Sequence, residues 1–145
     1  MNRPLVEIVI PVYNEQVVLE QSVKTLREYM AKNFPYRWQI TIADNASVDR
    51  TWEIAQRLES EYPEVKAMHL DRKGRGLALR TAWLESDAEI VSYMDVDLST
   101  GLESFWPMVD SILVGKSEVA TGSRLAKGAQ VTRQWKRELT SRGYN

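Results

Sequence analysis

Glu89-Ile90-Val91-Ser92-Tyr93-Met94-Asp95-Val96-Asp97 runs a short apolar stretch straight into two carboxylates. The first six residues read as a buried strand, with Asp95-Val96-Asp97 at its carboxyl end. In a parallel α/β sheet, ligands bind at the carboxyl ends of strands. A charge left unpaired there is costly, so carboxylates at that edge call for a cation. Two hard oxygen ligands two residues apart suit Mg²⁺ or Mn²⁺, which can bridge to substrate phosphates. The same tripeptide also reads as a solvated acidic loop, and alone it does not decide between the two.

Upstream of this stretch, strands and helices alternate. Val6 to Val12 reads as a strand, and Asn14-Glu15 as the opening of a helix. Leu19, Val23, Leu26 and Met30 fall on one face of that helix, which Asn33-Phe34-Pro35 stops. Trp38 to Ala43 is a second strand. Asp49 is an N-cap residue for a second helix, with Ile54, Leu58 and Tyr62 on its inner face and Pro63 at its end. Val65 to Leu70 is a third strand, and Gly74-Arg75-Gly76 leads into a helix through Leu84. Downstream, Leu102, Phe105, Trp106, Val109, Ile112 and Leu113 form a stripe. Thr100 and Glu103 are spaced as a capping box, yet a start near Ser104 is what puts Pro107 in the tolerated first turn. Val119-Ala120 begins a fifth strand, Lys127 to Arg133 a loop, and Trp135 a last helix. Such alternation predicts a mostly parallel sheet with helices on both faces.

Composition sets the bounds. The chain has 145 residues, 43% hydrophobic and 27% charged, with net charge −1. That suits one soluble domain with one core. From Ser123 onward, Arg124, Lys127, Arg133, Lys136, Arg137 and Arg142 face one acid, Glu138, so this end is +5 and the first 122 residues −6. A basic end on an acidic body fits an anionic partner, a phosphate or a membrane surface; a solvated basic helix fits it too. The absence of cysteine excludes disulfides, thiolate metal sites and cysteine nucleophiles. No apolar stretch is long enough to span a bilayer.

Polar groups recur where each strand ends: Tyr13, Asn14 and Glu15; Asp44, Asn45 and Asp49; Asp71, Arg72 and Lys73, then Gly74 and Gly76; Asp95 and Asp97; Ser123 and Arg124. In a doubly wound sheet these ends share an edge, so the groups converge. Asp44 reads as an acceptor for a base or ribose in preference to an Asx turn, because Asp49 already serves as cap. Glu15 reads equally as a ribose ligand or a favourable charge at a helix start. Gly74 and Gly76 read equally as a phosphate approach or a plain loop. His69, the single histidine, falls inside a strand and reads as structural, so neither a histidine base nor a histidine metal site is expected. The missing G-x-G-x-x-G and G-x-x-x-x-G-K-[ST] patterns argue against a dinucleotide-binding dehydrogenase and a P-loop phosphohydrolase. No aromatic-basic interleaving marks a nucleic-acid surface.

Taken together, Val9-Ile10-Pro11-Val12-Tyr13-Asn14-Glu15, Ala43-Asp44-Asn45-Ala46-Ser47-Val48-Asp49, Lys73-Gly74-Arg75-Gly76, Asp95-Val96-Asp97 and Gly122-Ser123-Arg124 resemble, in order and spacing, family-2 glycosyltransferases of the GT-A fold. The end, from Gly122-Ser123-Arg124-Leu125 through Lys136-Arg137-Glu138 to Ser141-Arg142, is most similar to the polyprenyl-phosphate (dolichyl-phosphate) glucosyl- and mannosyltransferase branch. The resemblance implies a Rossmann-like GT-A nucleotide-diphospho-sugar transferase fold. It implies that Pro11, Tyr13, Glu15 and Asp44 line the base and ribose, that Asp95 and Val96 contact the nucleotide, and that Asp97, with Asp95 and Ser99, meets Mg²⁺ or Mn²⁺. Arg124 and Arg137 would hold phosphate near sugar and acceptor, Asp95 and Asp97 completing the catalytic set.

The implied reaction moves a hexose from a UDP- or GDP-linked donor to a polyprenyl phosphate, at the cytoplasmic face of a membrane. A phosphate acceptor is already anionic and needs positioning by arginines more than a general base. Transfer to a hydroxyl in polysaccharide or glycan synthesis, and nucleotide-sugar binding without turnover, are the competing expectations. Residues 1–145 are expected to form the nucleotide-sugar-binding half of a family-2 domain, incomplete at its C-terminus.

Overall fold

β-Branched residues dominate Leu5–Val12, and this run forms β1, the central strand of a four-stranded parallel sheet in the computed structural model. The structure describes residues 3–98 and 102–113. The elements that follow are α1 (Leu19–Asn33), β2 (Arg37–Asn45), α2 (Thr51–Glu61), β3 (Val65–Leu70), α3 (Arg75–Glu85), β4 (Ile90–Tyr93) and α4 (Phe105–Leu113). Strand order is β3-β2-β1-β4. The chain therefore steps outward from β1 through β2 to β3, then crosses back to place β4 on the other side of β1. Val6, Ile8, Val9 and Ile10, together with Ile40 and Ile42, have no exposed surface. Burial on both faces is what a parallel sheet covered by helices requires.

Register and alternation assign the faces. Glu7 pairs in register with Gln39, and Val12 with Asp44. Side chains alternate along a strand, so Glu7 and Asp44 lie on opposite faces. The Glu7 face meets α3: buried Glu7 accepts hydrogen bonds from Gln39, Thr41 and Ser86, the residue just past α3. Trp83 of α3 donates its indole N–H to the Ser92 carbonyl of β4. Ala78 and Ala82 on the same helix are buried, and their small side chains let α3 lie close to the sheet. The opposite face meets α2, whose Trp52 packs on His69 of β3. α1 lies beside α2 and buries Leu19, Val23, Leu26 and Met30, the face expected from their spacing.

Two helix starts and one helix face differ from the sequence expectations. α1 begins at Leu19, because Asn14 takes the left-handed conformation (φ 51°) and breaks the helix before it starts. Helix α2 begins at Thr51 and buries Thr51, Ala55 and Leu58; Ile54 and Tyr62 are only partly covered. Asp49 lies one residue before the capping position, and its carboxylate accepts the Thr51 N–H at 2.9 Å. In α3 the buried face is Ala78, Leu79, Ala82 and Trp83, leaving Leu77 and Leu84 exposed.

The chain divides into two units between residues 99 and 100. In the second, a 3-10 turn at Leu102–Ser104 precedes α4, which starts at Phe105 with Pro107 in its first turn. The missing proline N–H costs nothing there. Phe105 and Val109 are buried. The expected Thr100 cap, fifth strand, following loop and last helix lie outside the described residues.

Candidate functional site

The reversal in strand order between β1 and β4 opens a crevice at the carboxyl edge, because the loops after these neighbours diverge. A cleft of about 630 Å³ lies there, lined by residues that include Pro11, Tyr13, Glu15, Lys73, Arg75 and Asp97. Asp95 and Val96 also line it, as do Val12 and Asn45. Six residues expected to bind nucleotide or metal thus share one cleft, although the sequence scatters them over two loops more than 75 residues apart.

Each wall has a local cause. After β4, the Leu98 N–H donates to the Asp95 carbonyl at 2.9 Å, closing a turn that carries Asp95 and Asp97. Leu98 has φ 56°. Among the described residues, the non-glycine residues with positive φ are Asn14, Ala46 and Leu98. They follow β1, β2 and β4 respectively, so backbone strain concentrates along the edge that carries the cleft, as at functional sites generally.

The loops after β1 and β2 are latched together. Asn14 N–H donates to Ser47 Oγ at 2.8 Å, and Asn14 Oδ1 accepts from the Val48 N–H at 2.9 Å. Glu15 N–H donates to Thr51 Oγ1 at 2.7 Å, and Arg50 N–H to Gln16 Oε1 at 3.1 Å. Asn14 is therefore a structural brace, and the latch holds Tyr13 and Glu15 in place. Asn45 similarly ties down the loop before α3, accepting the Gly74 N–H at 3.1 Å.

The cleft carries charges of both signs. Burial, then the charges of Asp97 and Asp49, pushes the Glu15 carboxyl above its ordinary range. Burial pushes Asp49 up as well, but hydrogen bonds from Thr51 and Gln16 outweigh it and hold Asp49 low. Lys73 Nζ sits over the Tyr13 ring, 4.1 Å from its centroid. Arg75, at the first position of α3, pairs with Asp95 and lies 4.7 Å over the Tyr93 ring. The sequence places Lys73 among the converging polar groups and Arg75 within the Lys73-Gly74-Arg75-Gly76 motif, without giving either a ligand role. The available signal was a basic residue before each of two glycines at a helix N-terminus, where anions bind. Neither glycine is demanded by the backbone: a methyl at Gly74 would meet only ordinary contact, and one at Gly76 open space.

Asp44 is not on the cleft wall. It has no exposed surface and lies beside Val12, its partner in register, which is. Its Oδ2 is 2.8 Å from His69 Nδ1, and its Oδ1 has no partner. Leaving a buried oxygen unsatisfied costs about 1–3 kcal/mol. Reading His69 as a plain strand residue missed this contact, because β2 and β3 bring Asp44 and His69 together only through their register. Ser99, Arg124 and Arg137 lie outside the described residues.

A nucleotide-scale cleft at the switch point of a parallel sheet, lined by both carboxylates and basic side chains, defines an α/β protein of the GT-A, Rossmann-like kind. Residues 7–145 match the glycosyl transferase family 2 model, and the chain belongs to that family. It is 33% identical over 142 residues to glycosyltransferase AglD of Haloferax volcanii, covering 97% of this chain and 23% of that protein. It is 33% identical over 140 residues to a dolichol-phosphate mannosyltransferase of Pyrococcus furiosus, covering 95% of this chain and 38% of that protein. The chain thus spans well under half the length of these curated relatives. Among solved structures, the mannosyltransferase PcManGT from Pyrobaculum calidifontis, in complex with GDP-Man and Mn²⁺, aligns with TM-score 0.56 at 25% identity. That alignment covers 73% of this chain and 33% of the other. S. aureus TarS 1–349 shares the fold, with TM-score 0.57 at 20% identity, over 77% of this chain and 33% of that one.

Proposed function

We propose that this chain carries the donor site of a glycosyltransferase that moves a hexose from a nucleoside-diphosphate sugar to a polyprenyl, dolichyl-type phosphate. The observation that carries this reading is the cleft where β1 and β4 part, lined by Asp95, Asp97 and Glu15 together with Lys73 and Arg75. Support for the acceptor comes from the relative named as a dolichol-phosphate mannosyltransferase. Support for the donor comes from the GDP-Man held by the PcManGT structure.

In this reading Pro11, Tyr13 and Glu15 hold the base and ribose with Asp44, while Asp95 and Val96 contact the nucleotide. Lys73 and Arg75 supply positive charge to the diphosphate. Asp97, with Asp95 and Ser99, meets a divalent ion, Mg²⁺ or Mn²⁺. The donor set suits one: Asp95 and Asp97, two carboxylates two residues apart, both line the cleft, and hard oxygen ligands of this kind are what magnesium and manganese take. No group of three or more metal-binding side chains occurs among the described residues. Magnesium commonly uses one or two carboxylates and takes its other ligands from phosphate and water. The ion, when bound, offsets the charge developing on the leaving diphosphate. Arg124 and Arg137 hold the acceptor phosphate by their bidentate forks. A lipid-borne acceptor puts the chain at a membrane surface, on the cytoplasmic face. No helix among the described residues is long and apolar enough to cross a membrane.

The test is calorimetric titration of UDP and of GDP into the chain with Mn²⁺ and then with chelator. Binding is expected only with the metal; equal affinity in both conditions would remove the metal from the proposal.

A further inference from the structure

We propose that His69 is a positioning residue of the base site: it occupies one oxygen of Asp44 and thereby commits the other to the nucleobase. This rests on the reading of Asp44 as a base-binding group. Asp44 and His69 are ladder partners on adjacent strands, so the backbone itself sets their approach. His69 Nδ1 lies 2.8 Å from Asp44 Oδ2. A carboxylate accepts hydrogen bonds, so in this contact Nδ1 carries the hydrogen and donates to Oδ2. The Trp52 ring lies 4.9 Å from the imidazole at an interplanar angle of 41°. One edge of His69 is thus bonded and one face is backed, and the ring has little freedom to turn away from Asp44.

Asp44 Oδ1 is buried and without a partner. Buried acceptors are nearly always satisfied, so this oxygen points to a donor that arrives with a ligand. Uracil and guanine each present a ring N–H beside a carbonyl; cytosine and adenine present no ring N–H on that edge. An acceptor locked in one orientation reads this difference, whereas a freely rotating carboxylate reads it less well. The side chain of His69 is 37% exposed while that of Asp44 is 0%. The histidine therefore stands at the boundary between the buried carboxylate and solvent, and contact with a base requires the groups covering Asp44 to part.

The test uses the 145-residue chain with Mn²⁺, titrated with UDP, GDP and inorganic pyrophosphate, with a thermal melt of each variant. His69→Phe keeps the packing on Trp52 and deletes the N–H; His69→Asn restores an N–H near the position of Nδ1. The expected result for His69→Phe is about tenfold weaker binding of whichever nucleoside diphosphate the native chain takes, the scale of one charge-assisted hydrogen bond. Pyrophosphate affinity stays within about twofold, and His69→Asn recovers most of the nucleotide affinity. Unchanged nucleotide binding in His69→Phe overturns the proposal. So does an equal loss for nucleotide and pyrophosphate, or a loss that asparagine does not repair. Asp44→Ala separates the two levels. If it weakens nucleotide binding while His69→Phe does not, His69 is excluded and the base site stands. If Asp44→Ala changes nothing, or the native chain binds no nucleotide, the base-site reading falls and His69 with it.

Discussion

Two carboxylates of this protein differ in what their surroundings ask of them. Asp44 is buried with one oxygen unpaired, so its proposed partner is the base and not the phosphates. Asp44→Ala is expected to weaken nucleoside diphosphate binding by about 1.5–3 kcal/mol, the scale of a hydrogen bond to a charged group. Pyrophosphate binding, measured by the same calorimetry, should hardly change. Parallel losses for both ligands would make Asp44 structural. Glu15 is the opposite case, a partly covered carboxyl raised above its ordinary value of 4.5 by burial and by Asp97 and Asp49. The folded protein holds this proton more tightly than the unfolded chain does. Stability therefore falls as pH rises from the ordinary value through the raised one. Glu15→Gln removes that loss. In chelator, its melting temperature should exceed the native one at pH 7, and the two should converge below the ordinary value. A constant difference at all pH values would contradict the charge argument.

Among the elements, α3 joins the core to the site. Its alanines pack toward the sheet, while Lys73 and Arg75 at its start line the cleft. Gly76 is the second residue of this helix, and a methyl there meets no atom within 4 Å. The backbone does not need the glycine, so Gly76→Ala is expected to stabilise the fold by about 0.5–1 kcal/mol in urea titrations. If phosphates approach the start of α3 as proposed, the same methyl should weaken nucleotide binding. Higher stability with unchanged binding would leave Gly76 as an ordinary residue of the helix and move the diphosphate away from α3.

For the whole molecule, strand order matters more than any single strand. Because β4 returns to the far side of β1, the loops of residues 13–16 and 95–98 face one cleft. The acceptor side of the proposal rests on Arg124 and Arg137, which the described residues do not include. In an assay of labelled sugar transferred into extractable polyprenyl lipid, Arg124→Lys and Arg137→Lys should each reduce transfer sharply. Lysine keeps the charge but loses the fork that matches a phosphate. Metal-dependent nucleotide binding should change little in either variant. Full transfer by both would reject bidentate phosphate binding at these positions.

Local pattern carried much of this protein. The strands from β1 to β4 were legible as short apolar runs bounded by turn residues, and the inner face of α1 because burial recurs every three or four residues along a helix. The gathering of Tyr13, Glu15, Asp95 and Asp97 at one edge was legible too, since alternating strands and helices point every strand the same way. Contacts set through space were not. Asn14 reads as a helix start until Ser47 and Val48, more than 30 residues away, hold it in a left-handed turn. His69 reads as a strand residue until the β2–β3 register sets it against Asp44. Arg75 gives no sign of Asp95, 20 residues on, until the crossover brings α3 back beside β4. Periodicity reports only a residue's own element, whereas these pairings depend on how separate strands are aligned, and that alignment exists only once the sheet has formed.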